Sequence, residues 1–332
     1  MGIEMVEQIK NRMKNSLQIE QLPLIVSLAM LCIAFSFLSP MFFTVDNLMN
    51  VLRAASLLAI TGMGMVLVIL VGEIDLSVGS TVAIVGVAGV AVLNASGSFT
   101  VTLITVILMG AVIGSINGIF VVYGNINSLI ASLGTMAMLR GLAMVVTQAR
   151  SIQANSEEFV NFGAGFWGPF PRPLIIAAAL FVIISYVLNH TAIGRYIYAV
   201  GGNSNASNLA GISVKKIKMV TFVSVGVLAA LTGLILAARM NSGQPNAGVG
   251  WEFQVVSAVI LGGISLTGGK GTLLGAVTGI LILSVLQNGL VLLNVSSFYQ
   301  DIVRGAVIVL AVYIDERRKR DLTKKLLRAK NQ

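Results

Sequence analysis

Charged residues are scarce in this chain of 332 residues: they make up 11% of the sequence, whereas hydrophobic residues make up 56%. A soluble domain carries roughly 25% charged residues. The shortage excludes a single large soluble core, so the composition predicts a polytopic membrane protein. The 35 glycines agree with this prediction, because small residues let helices approach each other closely in lipid.

Cysteine and histidine are equally scarce, with one residue of each. Cys32 excludes a disulfide framework within the chain, and His190 alone excludes an H-E-x-x-H zinc site. Residues 263–271 are similar to a phosphate-binding loop, but the glycine spacing is one residue too long. Moreover, Gly271 stands where Ser or Thr would hold magnesium. We therefore expect no catalysis, metal or cofactor in this chain.

The apolar runs predict an all-α protein with about ten membrane-spanning helices. A polar segment, 1–21, precedes a membrane domain over 22–315, and a basic tail follows at 316–332. The predicted spans lie near 21–39, 51–71, 81–93 (after a break at 72–80), 100–122, 127–148, 173–189, 218–238, 252–266, 272–293 and 298–314. The glycine-rich span at 252–266 is the one most open to being broken or re-entrant.

The net charge of +9 follows from basic residues at the ends of these spans, which excludes a nucleic-acid-binding reading. An even number of spans places both termini and the basic stretch 190–218 on one side. Lys10, Arg12, Lys14 and the tail cluster beginning at Arg317 then share that side. By the positive-inside rule, both termini are predicted to be cytoplasmic.

Glu73 and Asp75 lie between two apolar runs, where a carboxylate is costly unless it faces water or a partner. Either they and Ser77 line a polar cavity at a broken helix, or they mark a loop between two spans. Arg140 lies within an apolar run and is predicted to pair with Glu73 or Asp75, a substrate contact being the alternative.

Two further patterns concern pairing and repetition. Asp301 and Arg304 are three residues apart on the last span and are predicted to pair on one helix face. The stretches 72–79 and 268–275 share glycines, as duplicated broken segments of transporters do. Because only the glycines match, this echo does not define the topology.

The stretch 190–218 is the longest polar, basic interruption of the hydrophobic middle of the chain. Asn203 or Ser204 can cap a two-turn helix over 205–210, and Gly211 can end it in a left-handed conformation. Its small apolar face, made of Ala206, Leu209 and Ala210, would let another protein approach closely. The alternative is an ordinary cytoplasmic loop.

Several motifs resemble those of the ribose, xylose and galactoside type of sugar permease, the membrane subunits of bacterial ABC importers. They are GEIDLSVGS at 72–80, NSLIASLGTMAMLRG at 127–141, GRYIYAVGGNSNASNLAGISVKKIK at 194–218, LGGISLTGGKGTLLG at 261–275 and VSSFYQDIVRGAVIVLAVYID at 295–315. The resemblance covers nearly the whole chain. One departure is Asn127, where the family often has proline; asparagine can cap the following helix instead.

The resemblance implies an ABC importer permease fold, two permease subunits (a homodimer being favoured) and a path between them. It also implies a partner ATPase, which binds ATP and magnesium, and a periplasmic or extracellular sugar-binding protein. The coupling segment for the ATPase would comprise Gly202, Asn203, Ala206, Leu209, Gly211 and Ile212. The translocation path would include Glu73, Asp75, Ser77, Gly79 and the candidate Arg140.

The leading hypothesis is therefore a permease subunit that moves a ribose-like pentose, or a related monosaccharide, across the bacterial inner membrane. An ion-coupled secondary transporter using Glu73 and Asp75 is the first alternative. A membrane scaffold or receptor component without transport is the second.

Overall fold

A computed structural model describes residues 22–307, 309–310, 313 and 317 and shows an almost entirely helical chain. The helices are α1 (Leu22–Leu38), α2 (Val45–Leu70), α3 (Val78–Ser96), α4 (Phe99–Val122), α5 (Ser128–Thr147), α6 (Glu157–Ala164), α7 (Arg172–His190), α8 (Ala192–Gly202), α9 (Ser204–Leu209), α10 (Val214–Arg239), α11 (Trp251–Leu261), α12 (Leu273–Leu292) and α13, described over 297–307. Two antiparallel pairs of short strands join β1 (Ile152–Gln153) to β4 (Ser242–Gly243) and β2 (Phe166–Trp167) to β3 (Phe170–Pro171).

Within the described part of the chain, seven helices are long and apolar enough to cross a membrane, namely α2, α3, α4, α5, α7, α10 and α12. The remaining three predicted spans correspond to shorter described helices: α1, the 11-residue α11, and α13. The prediction of an all-α multi-pass membrane protein is confirmed. The segment 1–21 and the tail 316–332 lie outside the described residues, apart from Arg317.

Short polar side chains begin several of the helices. The hydroxyl oxygens of Thr44, Ser98 and Thr191 each accept a hydrogen bond from a backbone amide in the first turn that follows. Asn127 caps α5 in the same way, since its side-chain oxygen accepts from the amide of Leu129 at 3.0 Å. Asparagine therefore begins this helix as the sequence predicted.

Glycine sets the closeness of the packing in the interior, where α2, α3 and α10 are the most buried spans. The backbones of α4 and α10 touch where Gly110 and Gly114 face Phe222 and Gly226. A Cβ atom at Gly226 would overlap the carbonyl oxygen of Gly110 and lie 2.8 Å from the amide nitrogen of Gly114. Only glycine at this position permits that approach.

The bundle has two chemically different ends, separated by α7, which is about 28 Å long at 1.5 Å per residue. The basic end, as we call it, carries α8 and α9 with Arg195, Lys215 and Lys216. The opposite end carries α6 and both strand pairs.

On α13, Arg304 lies 2.9 Å from Asp301, which confirms the predicted pair.

Replacing Gly226 by alanine tests the packing of α4 on α10. We expect a loss of stability of about 1–3 kcal/mol, because the added methyl group has to push two backbones apart. Thermal unfolding of the detergent-solubilised protein measures this loss. Gly134→Ala is the control, since a Cβ atom at Gly134 meets nothing within 4 Å; equal unfolding temperatures for the two variants would contradict the packing argument.

Candidate functional site

The short helix α9 forms as predicted at the basic end, one residue earlier than expected. The side-chain oxygen of Asn203 accepts a hydrogen bond from the amide of Ala206 at 2.9 Å, and Gly211 has a φ of +81°. The side chain of Leu209 is 90% exposed, and Ala206 and Ala210 are exposed beside it. The apolar face of α9 is therefore uncovered in the single chain.

The residues before and after α9 contact the rest of the chain, in contrast to its exposed apolar face. Ile212 is half-buried and packs against the main hydrophobic cluster, whereas a Cβ atom at Gly202 would meet nothing within 4 Å. In α8, the Tyr198 hydroxyl donates a hydrogen bond to the carbonyl oxygen of Gly271 at 3.1 Å. Burial raises the pKa of Tyr198, so the hydroxyl keeps the proton that this bond requires.

The connector between α2 and α3 contains the predicted pathway residue Glu73. Its carboxylate pairs with the ammonium group of Lys218 at 2.5 Å, and both side chains are mostly buried. Lys218 lies in the first turns of α10, directly after the stretch that carries α9. This ion pair therefore joins the α2–α3 connector to the segment that follows α9, a contact the sequence did not predict.

Asp75 lies in a closed hydrogen-bonded cluster, and only 1% of it is exposed. One carboxylate oxygen accepts from the Ser77 amide at 2.8 Å and from the Ser77 hydroxyl at 2.7 Å. The amide group of Asn117, on α4, donates to both carboxylate oxygens at 3.1 and 3.2 Å. A buried carboxylate requires such donors, so the cluster ties the start of α3 to α4.

Arg140 corrects an expectation from the sequence. It does not pair with Glu73 or Asp75; one guanidinium nitrogen, Nη1, donates to the carbonyl oxygens of Pro245 and Ala247 at 2.9 and 2.7 Å. The acidic residue that acts on it electrostatically is Glu252. The sequence pointed to the wrong partner because backbone carbonyls, which bear no side-chain signature, satisfy this charge.

The carbonyls that Arg140 binds belong to an irregular segment, residues 242–250, which precedes α11. At its start Gly243 packs on Val87, and at its end Gly248 packs on Gly79, both in α3. The segment thus runs along α3 for about 12 Å without the i→i−4 hydrogen bonds of an α-helix; the amide of Ala247 donates to the carbonyl oxygen of Gln244 in a turn. Residues 242–250 and α11 together, which we call the discontinuous span, stand in place of a simple helix near 252–266, where the sequence left a broken or a re-entrant course open.

The discontinuous span brings two predicted pathway residues together, since Gly79 lies against Gly248 and Arg140 binds the same segment. The Glu252 side chain lies against Gly79 and is 5% exposed. Asn246, Val249 and Phe253 are exposed on the segment and the start of α11. The sequence missed Glu252, although a carboxylate between a proline- and glycine-rich stretch and an apolar run was a signal.

A groove of about 360 Å³ lies between α2, α7 and α12. Apolar side chains line it, with Ser56 as the exception, so it lacks the polar partners that a sugar requires. Among the described residues, no group of three or more His, Cys, Asp or Glu side chains could hold a metal ion.

Comparison with known protein families identifies the family to which the chain belongs. Residues 47–312 match the family described as "Branched-chain amino acid transport system / permease component". The match covers most of the chain, and the chain belongs to this family of permeases. No solved structure matches it significantly.

Curated relatives match over nearly their whole length. The ribose import permease protein RbsC of Escherichia coli strain K12 is 44% identical over 304 residues, which cover 90% of this chain and 94% of that protein. The RbsC protein of Haemophilus influenzae is 42% identical, covering 87% and 91%. The L-arabinose transport system permease protein AraH of Escherichia coli strain K12 is 37% identical, covering 89% and 90%.

These matches confirm the resemblance to sugar permeases and the predicted class, the permease subunit of an ABC importer. A permease of this kind is a membrane component and not itself an enzyme. The ion-coupled alternative and the scaffold alternative therefore lose their basis.

Replacing Asn117 by alanine tests the Asp75 cluster. The carboxylate would lose both hydrogen bonds from Asn117, and hydrogen bonds to a charged group contribute roughly 1.5–3 kcal/mol each. We expect a clear fall in unfolding temperature, measured on the purified protein. Asn117→Asp, which places a second acid beside Asp75, should be at least as destabilising; wild-type stability in both variants would show that the cluster does not hold α3 to α4.

Proposed function

We propose that this chain is one of the two permease subunits of an ABC importer for ribose or a chemically similar pentose in a bacterial inner membrane. The similarity to ribose and arabinose permeases over nearly the whole chain supports the substrate class. ATP and magnesium bind to a separate ATPase, and a soluble sugar-binding protein delivers the substrate.

The basic end faces the cytoplasm in this proposal. Among the described residues it carries Arg195, Lys215 and Lys216, while α6 at the opposite end begins with Glu157 and Glu158. Positive charge is retained on the cytoplasmic side of a membrane, which supports this orientation. The opposite end is then available to the sugar-binding protein.

The ATPase docks on α9, and the observation that carries this proposal is the exposed apolar tip formed by Leu209. The coupling segment comprises Gly202, Asn203, Ala206, Leu209, Gly211 and Ile212. Asn203 and Gly211 define the two ends of the helix, Ile212 anchors it, and the small side chains leave Leu209 free to enter a pocket. Burying the exposed Leu209 side chain in a pocket of the ATPase would contribute roughly 1.5–3 kcal/mol to docking.

Leu209→Asp tests the docking. Burying a leucine side chain contributes roughly 1.5–3 kcal/mol, so its replacement by a charged residue should weaken ATPase binding by about tenfold or more. Co-purification of the ATPase with the permease from membranes measures the effect. Leu209→Met retains an apolar tip and should retain the ATPase; undiminished co-purification with Leu209→Asp would contradict the docking role.

The translocation path runs between two permease subunits, and a second copy of this chain is the partner we favour. Arg140 is only half-buried, and Asn246 and Phe253 are exposed beside the unwound segment, which supports its facing the path. Gly79 permits the close approach of that segment to α3. In this proposal Glu73, Asp75 and Ser77 do not contact the sugar. They hold the α2–α3 connector in place through the ion pair to Lys218 and the hydrogen bond between Asp75 and Ser77.

Reconstitution in liposomes tests the energy source. With the ATPase, ATP, magnesium and the binding protein present, we expect uptake of radiolabelled ribose that stops when ATP is omitted. The permease alone, under a proton or sodium gradient, should move none, because Glu73 is ion-paired and Asp75 is enclosed by donors. Accumulation driven by an ion gradient alone would overturn the proposal.

A further inference from the structure

At the basic end, the C-terminal end of α8 meets the end of α2 and the loop between α11 and α12. Gly201 of α8 lies against the end of α2, where a Cβ atom at Gly201 would overlap the carbonyl oxygen of Leu70. The same atom would lie 2.5 Å from the amide nitrogen of Gly269, in the loop between α11 and α12. That amide donates a hydrogen bond to the Leu70 carbonyl at 2.9 Å. We call these residues, Leu70, Gly201 and Gly269, the glycine junction.

Neighbouring contacts hold the junction in register. Gly268 has a φ of +83°, and a Cβ atom there would lie 2.8 Å from the amide nitrogen of Gly72. The Tyr198 hydroxyl, one turn before Gly201, binds the Gly271 carbonyl. Backbone therefore lies on backbone with no side chain between, and a close-packed contact of this kind transmits a displacement instead of absorbing it.

The junction lies between two functional elements of the chain. On one side, α8 continues through Gly202 and Asn203 directly into α9. On the other, the loop 262–272 ends α11, whose first turn carries Glu252 and adjoins the segment bound by Arg140. α11 is one rigid helix of 11 residues, so a shift at its loop end also moves its other end.

We propose that Gly201 is a positioning residue for transport, through which displacement of α9 by the ATPase reaches α11 and the unwound segment at Arg140. This rests on the proposed docking of the ATPase on α9. The Glu73–Lys218 pair gives the same movement a second attachment, because it joins the start of α10 to the α2–α3 connector. Gly201 itself contacts neither sugar nor ATPase.

The test adds one methyl group at Gly201 or, as the control, at Gly134 in the complete importer, which comprises permease, ATPase and binding protein in liposomes. Gly201→Ala puts the methyl group into the junction, whereas Gly134→Ala, in α5, puts it where nothing lies within 4 Å. The quantity measured is ribose transported per ATP hydrolysed, together with co-purification of the ATPase. A defect of folding alone lowers the amount of importer and leaves this ratio unchanged.

We expect Gly201→Ala to retain the ATPase and to transport at least tenfold less ribose per ATP than the Gly134→Ala importer. Equal ratios in these two variants and the wild type would overturn the junction proposal and leave the proposed function standing. Retention of the ATPase by Leu209→Asp would instead remove the docking role, and the junction proposal with it.

Tyr198→Phe decides the question if Gly201→Ala does not assemble. It removes one hydrogen bond to the Gly271 carbonyl and preserves the ring. We expect the ratio of ribose to ATP to fall two- to tenfold, as the loss of one hydrogen bond implies. An unchanged ratio in Tyr198→Phe would contradict the proposal.

Discussion

The structure depends on how the carbonyl groups of the unwound segment 242–250 are hydrogen-bonded inside a bundle of membrane helices. In the hydrocarbon region, irregular backbone requires protein donors for its carbonyl groups unless it lines a water-filled cavity. Arg140 donates hydrogen bonds to the carbonyl oxygens of Pro245 and Ala247, and the buried Glu252 interacts with it electrostatically. This interaction allows α11 to begin partway through the bundle, and it places a polar, deformable break beside an exposed face of the chain.

The two ends of α11 then have distinct environments. Its first turn adjoins the break at Arg140, and the loop that follows it enters the glycine junction beside α8. A short helix held in this way resembles a rod between the surface where we propose that an ATPase docks and the surface that we propose faces the solute path. Two packed arrangements of such a rod are sufficient for alternating access, since close-packed interfaces switch between discrete states and do not deform continuously.

Local patterns predicted the helices well. The apolar runs located the spans, and asparagine and glycine at Asn203 and Gly211 located α9 almost to the residue, because caps act within one turn. Partners distant in sequence were not predictable. Lys218 for Glu73, Asn117 for Asp75 and two carbonyls for Arg140 lie 145, 42 and more than 100 residues away. Nothing in the local sequence encodes these distances, since the register of one helix on another decides them.

The sequence by itself determined that the chain lies in a membrane, roughly where its long apolar helices lie, and that a small polar helix occurs in the basic stretch between two of them. Hydrophobicity and capping act over a few residues, so a linear reading captures them. Only the tertiary structure decided which charges meet and which glycines touch. Gly201 lies against Leu70 and Gly269, which are 131 and 68 residues away in the chain. Only the packing of the bundle brings these three residues together.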